Sequence, residues 1–171
     1  ISAAAALDFP LCELHSVELV PEVVELAHAH FGEWNAALFS DPRSQVHTAD
    51  GRAKLDRLAG GFDAIICDLF FPGEEGTANL YSLEFLQKCR QRLTPGGVFC
   101  LWLPCYQHTP ATAGVIIRTF TEVFPHAVAL RANLDPLQPV LGLLGANEPI
   151  PISKGFLAKQ LASPTGRKLA A

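Results

Sequence analysis

The stretch DAIICDLFFP, at positions 63–72, constrains the fold of this chain more than any other. It is an apolar run that ends on a lone carboxylate, Asp68, and a loop follows. The runs HSVE and QVHTAD have the same shape and end on Glu18 and Asp50. In open α/β sheets, ligands bind outside the carboxyl ends of the strands. The sequence therefore predicts three acids at one edge of a sheet, around one ligand site.

Length and composition limit the classes of protein to which this chain can belong. The 171 residues suffice for one domain with a core, and 49% hydrophobic against 18% charged residues predicts a folded chain. A net charge of −4 argues against a nucleic-acid partner, which requires a basic face. No apolar run reaches the roughly 18 residues that a membrane helix needs. A cytoplasmic protein with a small-molecule ligand is expected.

The cysteines and histidines indicate no metal site. Five cysteines without a C-x-x-C spacing are typical of free thiols in a reducing compartment rather than of zinc ligands. His28 and His30 lie two residues apart and so face different sides of a helix. We expect the four remaining histidines to be structural or exposed, and these are His15, His47, His108 and His126.

Strands and helices alternate along the chain. Strands are predicted at 15–20, 44–49, 64–70, 98–103, 126–131 and 139–145. Helices are predicted at 3–7, 21–31, 51–58, 80–93, 112–124 and 155–161, with turns at 41–42 and 94–97. This order predicts an α/β fold with a mostly parallel sheet and helices on both faces. The link between the last two strands is too short for a helical crossover, so these strands should form an antiparallel hairpin.

An ordered set of motifs resembles the spermidine synthase (aminopropyltransferase) family. The motifs are VELVPEVV at 17–24, DPR at 41–43, ADGR at 49–52, DAIICD at 63–68, NLYSLEF at 79–85, LTPGGV at 93–98 and VFPH at 123–126. The runs CDLFFP at 67–72 and CLWLPCYQ at 100–107 resemble a bacterial spermidine-synthase-like branch, whose members are often fused to membrane segments. The resemblance implies the Rossmann-like, doubly wound fold of class I S-adenosylmethionine-dependent enzymes over residues 1–146.

The resemblance also implies a strand and a glycine-rich loop before the helix at 3–7. That strand would be central, between the strands that end at Glu18 and Asp68. We therefore expect further residues before Ile1 in the natural protein, or a chain segment or homodimer contact that covers the unpaired sheet edges. Residues 147–171 are expected to form a tail, and residues 168–171 resemble the linker that an expression vector leaves.

The resemblance assigns roles to the three acids. Glu18 would accept hydrogen bonds from ribose hydroxyls, which suits a carboxylate that can take two parallel O–H donors. Asp50, next to Gly51, would contact the adenine amino group, and the alternative is that it caps the helix beginning at Gly51. Asp68 would accept a proton from the attacking amine. The nucleoside contacts are therefore predicted at Glu18, Asp50 and Gly51, and the catalytic group is predicted at Asp68.

The chain departs from the family pattern in the substrate pocket. The family's second acid, three positions after Asp68, is replaced by Phe71, which offers only a weaker cation–π contact. Glu74 and Glu75 lie in the same loop and could partly replace the lost acid, and the alternative is that both are solvated loop residues. A glutamine usual after the fifth strand has no clear match. The remaining predicted pocket residues are Tyr81, Trp102 and Gln107.

The resemblance favours a transferase that moves an aminopropyl group from decarboxylated S-adenosylmethionine to a small-molecule amine. A methyltransferase that uses S-adenosylmethionine on the same fold is one alternative. A non-catalytic nucleoside-binding or assembly module is another, because fold alone does not determine function.

Overall fold

The computed structural model describes residues 2–68, 76–131, 133, 135, 137–164 and 166–167. Phe71, Glu74, Glu75 and the predicted linker at 168–171 lie outside the described residues. The strands are β1 (Leu14–Glu18), β2 (Ser44–Thr48), β3 (Phe62–Cys67), β4 (Leu93–Pro104), β5 (His126–Arg131) and β6 (Val140–Ala146). The helices are α1 (Ser2–Ala6), α2 (Pro21–His30), α3 (Gly32–Ser40), α4 (Gly51–Arg57), α5 (Leu83–Gln91), α6 (Pro110–Val123) and α7 (Lys154–Ala162). The chain divides into two compact units, Ile1–Leu58 with Ile152–Ala171, and Ala59–Pro151.

The first unit contains a two-stranded parallel sheet. Strands β1 and β2 pair in register from Leu14 opposite Ser44 to Glu18 opposite Thr48. Helix α2 begins at Pro21, whose fixed φ and missing N–H suit a first helical position. Since the strands run in the same direction and end together, the residues that follow them emerge at one edge.

The second unit contains a four-stranded sheet in the order β3-β4-β6-β5. Strand β3 is parallel to β4, and β6 is antiparallel to both β4 and β5. The predicted antiparallel hairpin of the last two strands is therefore confirmed. Its core is aromatic, because the ring of Phe99 on β4 stacks at 5.4 Å from Phe124 and 6.0 Å from Phe120, at the end of α6. All three rings are almost fully buried.

The predicted α/β class is confirmed, and three local predictions were wrong. Helix α3 was not predicted at all. Helix α5 begins at Leu83 rather than at residue 80, because a 3₁₀ turn, Thr77–Tyr81, precedes it and the Ser82 hydroxyl accepts the Phe85 N–H. The predicted turn at 94–97 lies inside β4, which begins at Leu93.

The irregularity at 94–97 has a local cause. Phe62 pairs with Leu93, but Ala64 already pairs with Val98, so the register jumps between β3 and β4. Gly96 takes a left-handed φ of +76°, which glycine adopts at little cost. The sequence signal for a turn was thus real, but it marks a bulge within a strand.

Strand β3 is not buried on both faces, contrary to the sequence interpretation. Ile66 is 62% exposed, whereas Leu101 and Leu103 of the neighbouring β4 are fully buried. Ile66 pairs with Cys100 and therefore shares its face of the sheet rather than the face of Leu101. Helices were expected on both faces of the sheet, but only one face of β3 is covered.

Two sheet edges lack a described neighbour. Among the described strands, β1 pairs only with β2, and β3 pairs only with β4. The expectation that a further segment or a second copy covers these edges stays a prediction. Of the helices that the structure describes, none combines the length and apolar character needed to cross a bilayer.

Candidate functional site

Glu18 is the last residue of β1, at the carboxyl edge of the first unit's sheet. One carboxylate oxygen, Oε1, accepts the backbone N–H of Val20 at 3.0 Å. The Glu18 carbonyl accepts the N–H of Ala49 at 2.9 Å, which ties the end of β1 to the residue before Asp50. The two predicted nucleoside acids therefore follow neighbouring parallel strands at the same edge.

Asp50 caps helix α4. Its Oδ1 accepts the N–H groups of Arg52 at 2.9 Å and Ala53 at 3.0 Å, and its Oδ2 accepts Arg52 Nη2 at 3.0 Å. The Arg52 guanidinium is the main reason that the pKa of Asp50 lies below its ordinary value. The capping alternative is thus present in the structure. A ligand donor would have to share Oδ2 with the half-buried Arg52 side chain.

Gly51 is the first residue of α4. A side chain built at Gly51 would meet no atom within 4 Å. The space in front of the helix start is therefore open, and the packing of this chain alone does not require glycine there.

Asp68 directly follows β3, at the carboxyl edge of the second unit's sheet, and is exposed. It acts electrostatically on Cys100, whose pKa is raised to about 11, first by burial and then by the Asp68 charge. Burial likewise raises the pKa of Cys67, at the end of β3, to about 12. Both thiols are therefore protonated at neutral pH.

Tyr81 and His108 form an aromatic contact at this edge. Tyr81 is 8% exposed, and its ring meets the His108 imidazole edge to face, with centroids 5.6 Å apart. Burial is the main cause that raises the pKa of Tyr81 to about 12, so its phenol is neutral. Burial also lowers the pKa of His108.

Gln107 lies beside this pair, in the 3₁₀ turn Cys105–Gln107 that ends β4. Its Nε2 donates to the Tyr106 hydroxyl at 3.3 Å, whereas its Oε1 is buried. Since β3 and β4 are parallel, the turn after β4 and Asp68 after β3 emerge at the same edge.

The sequence predicts that His108 is structural or exposed, whereas the structure places it against Tyr81. The available signal was its position: it stands four residues after the end of the buried strand β4, next to Gln107, where a sheet presents ligand-binding groups. No spacing in the sequence links His108 to its neighbour Tyr81, because Tyr81 comes from a separate 3₁₀ turn.

Trp102 lies across the sheet rather than at its edge. It pairs with Gly142 of β6, and a side chain built at Gly142 would come within 2.8 Å of Trp102 Cζ3. Glycine is therefore required where the indole covers the backbone. No group of three or more His, Cys, Asp or Glu residues in the described ranges could hold a metal ion.

The chain is similar to proteins of known family. The family model described as "Spermine/spermidine synthase domain" matches residues 9–137. Polyamine aminopropyltransferase 2 of Pseudomonas aeruginosa is 31% identical over 134 residues, which cover 77% of this chain and 38% of that protein. Polyamine aminopropyltransferase of Aeropyrum pernix is 30% identical over 134 residues, covering 77% of this chain and 43% of that protein. The chain thus spans about two fifths of the length of these relatives.

Solved structures share the fold. A spermidine synthase in complex with the transition-state analogue AdoDATO superposes with a TM-score of 0.73 at 22% identity, covering 85% of this chain and 50% of that one. Human methyltransferase-like protein 13 in complex with SAH gives a TM-score of 0.71 at 24% identity, covering 97% of this chain and 73% of that one.

Proposed function

The chain belongs to the spermine/spermidine synthase family, and from this we propose that it transfers an aminopropyl group from decarboxylated S-adenosylmethionine to a small-molecule amine. The observation that carries the proposal is the family match over residues 9–137, which includes Glu18, Asp50 and Asp68. The relatives named polyamine aminopropyltransferase support the same reaction class. Because the chain spans only part of their length, the activity of the whole protein is part of the proposal.

In this proposal, the first unit contacts the nucleoside of the donor. Glu18 accepts the ribose hydroxyls, since Oε1 is taken by the Val20 N–H and Oε2 has no partner among the described residues. Asp50 meets the adenine amino group through Oδ2, and Gly51 leaves the approach open. The AdoDATO and SAH complexes of the fold neighbours support an S-adenosyl ligand.

Asp68 is the proposed catalytic base. The neutral nitrogen of the amine attacks the donor carbon next to the sulfonium sulfur, a C–N bond forms, and the C–S bond breaks. Methylthioadenosine leaves as the neutral thioether, and the proton that the new ammonium sheds passes to Asp68. Asp68 acts in this step as the general base that takes the proton from the new ammonium. The protonated neighbours Cys67 and Cys100 cannot take this role.

Two residues complete the proposed amine pocket, because Tyr81 and Gln107 lie at the same sheet edge as Asp68. The Trp102 indole covers Gly142 instead, so a pocket role for Trp102 stays a sequence prediction. The role of Phe71 stays a sequence prediction.

The test is turnover with defined donors. Purified protein is incubated with decarboxylated S-adenosylmethionine and a panel of linear diamines, and the products are identified by mass spectrometry. We expect methylthioadenosine and an aminopropylated amine in equal amounts. A parallel reaction with S-adenosylmethionine tests methyl transfer, which would yield S-adenosylhomocysteine instead. Saturable methylthioadenosine binding without turnover of either donor would refute the enzyme and favour the binding module.

A further inference from the structure

Two helices of the first unit bury none of their side chains. Helices α2 and α7 contain no buried residue, although each carries large apolar side chains. Leu26 of α2 is 53% exposed, and Leu161 of α7 is 60% exposed. The apolar sides of the two helices therefore do not cover each other within one chain, because such packing would shield these side chains from water. Exposed apolar surface that is contiguous marks an interaction site.

The exposed surface of α2 is apolar with an acidic border, and we call it the acidic face. Val23 and Leu26 are three residues apart and lie on the same side of the helix, and Glu22 borders them one turn before Leu26. The face continues to the start of α3, where Trp34 is 58% exposed and its ring centroid lies 6.4 Å from that of Phe31. The acidic face consists of Val23, Leu26, Phe31 and Trp34, with the exposed carboxylates of Glu22, Glu25 and Glu33.

Helix α7 has the opposite charge, and we call it the basic helix. At about 3.6 residues per turn, Phe156, Leu157 and Leu161 fall within one half of the helix circumference. Lys154 and Lys159 border this apolar half on its two sides. All five side chains are exposed. The basic helix thus has the pattern of the acidic face, an apolar row with a charged border, but with positive charges.

The charge contrast extends through the flanking sequence. Residues 1–42 contain seven acidic residues and no lysine or arginine, whereas residues 149–167 contain three basic residues and no acidic one. The carboxylates of the acidic face and the lysines of the basic helix form no ion pair with another described residue. Each surface therefore presents charges that a partner of the opposite sign can pair.

We propose that each surface is occupied by a second copy of this chain, with the basic helix of one copy packed on the acidic face of the other. A two-fold arrangement makes this contact twice, because an isologous interface uses the same surfaces on both copies. The apolar side chains are then buried at the centre of each contact, and lysines meet carboxylates at its border. The inference uses none of the proposed nucleoside or catalytic residues, so it does not depend on the proposed reaction.

A second copy satisfies both surfaces, whereas other partners satisfy one. An anionic membrane attracts the lysines and apolar side chains of the basic helix, but it repels the acidic face. A basic partner protein covers the acidic face and leaves the basic helix exposed. The chain itself carries two surfaces of matching apolar character and opposite charge, which favours association between copies.

The test exchanges the charges of the two surfaces. One variant combines Lys154→Glu with Lys159→Glu, so that both of its surfaces are acidic. A second variant combines Glu22→Lys with Glu25→Lys, so that both of its surfaces are basic. The control combines Glu84→Lys with Glu122→Lys, at exposed positions of α5 and α6. Sedimentation equilibrium measures the mass and the dimer Kd of each variant and of the two charge variants mixed in equal amounts, and thermal unfolding checks the fold.

We expect the wild type and the control to sediment at twice the chain mass of 18.4 kDa. Each charge variant alone should dimerise roughly a hundredfold more weakly or worse, since like charges then face each other. The equal mixture should restore the dimer, because both contacts of the mixed pair again join opposite charges. Added salt should weaken the wild-type dimer by screening these charges.

Several outcomes would overturn the inference. A wild type that stays monomeric into the millimolar range would do so, and so would folded charge variants that dimerise like the wild type or fail to dimerise when mixed. Monomeric wild type that cosediments with vesicles of equal parts phosphatidylglycerol and phosphatidylcholine would show that a membrane covers the basic helix instead. If the Glu22→Lys, Glu25→Lys variant does not fold, Leu161→Ser decides, because α7 buries no residue and this change should weaken the dimer without unfolding the chain.

Discussion

Nδ1 of His15 lies 3.1 Å from Nε2 of His47, across the paired strands β1 and β2. The two rings are nearly parallel, at 21°, and a hydrogen bond at this distance needs one of the two nitrogens to carry no proton. Glu13 Oε1 lies 3.3 Å from the other nitrogen of His15 and also accepts Gln45 Nε2 at 2.6 Å. Protonation of both Nδ1 of His15 and Nε2 of His47 would remove the acceptor and break the hydrogen bond between the rings.

The histidine pair predicts a loss of stability in mild acid. Burial first, and then the charges of Lys54 and His15, lower the pKa of His47 from 6.5. The folded state thus binds fewer protons than the unfolded state in this range, and stability falls as the pH drops below 6.5 toward the folded pKa. Urea unfolding at pH 7.5 and 5.5 should show this fall, with a smaller fall in His47→Gln. The control His30→Gln should keep the fall of the wild type. A fall in His47→Gln equal to that of the wild type would contradict the prediction.

Asp50→Ala should destabilise the protein by about 1 kcal/mol, the typical cost of losing an N-cap side chain. The change removes the acceptor for the N–H groups of Arg52 and Ala53 at the start of α4. Asp50→Asn keeps an acceptor oxygen and should cost only a few tenths of that amount. Urea unfolding measures both. Equal losses in the two variants would show that the charge, rather than the cap, stabilises the helix.

Glu18→Gln should weaken methylthioadenosine binding roughly tenfold or more, because the single amide oxygen would be taken by the Val20 N–H and an NH₂ group would replace the Oε2 acceptor of the ribose hydroxyls. The Val20 N–H can still be accepted, so the fold should persist. Calorimetry gives the Kd, and Glu22→Gln in the exposed first turn of α2 is the control. An unchanged Kd in Glu18→Gln would remove Glu18 from the nucleoside site.

Gly145→Ala should destabilise the second unit by about 1–3 kcal/mol through overpacking. A side chain at Gly145 on β6 would collide with the ring of Phe124, which is held by Phe99 and Phe120. Gly114→Ala is the matched control, because α6 has open space at Gly114 and alanine favours a helix by roughly 0.5–1 kcal/mol. The thermal unfolding temperature should fall in Gly145→Ala and rise in Gly114→Ala. An unchanged unfolding temperature in Gly145→Ala would contradict the prediction and would mean that the Phe124 ring can move aside.

Asp68→Asn should lower turnover by roughly 10²–10⁴-fold, the range for loss of a general base, because an amide oxygen is a poor proton acceptor. Binding of methylthioadenosine should not change. The measurement is kcat with decarboxylated S-adenosylmethionine and a diamine, with Glu122→Gln at an exposed position of α6 as control. Turnover that is unaffected in Asp68→Asn would overturn the catalytic assignment.

Much of the fold could be predicted from patterns that act locally. Alternating strands and helices, the Pro21 helix start and the short link before β6 are decided by neighbours in sequence, and these predictions hold. Helix α3 was missed because it begins at Gly32, directly after α2, without a capping side chain. The 94–97 bulge was read as a turn because the glycine signal is the same for both, and only pairing with β3 distinguishes them.

Some features of the candidate site also follow from local sequence patterns, and others do not. The sequence by itself determined that Glu18, Asp50 and Asp68 end strands, since a carboxylate after an apolar run is a local pattern. The capping of α4 by Asp50 is local as well, and the sequence offered it as an alternative. Only the tertiary structure decided that β3 has an exposed face and that the His108 ring meets Tyr81. These facts depend on which strands pair and which side chains shield each other from water. Contacts between residues far apart in the chain set burial and hydrogen bonding, and no local pattern encodes them.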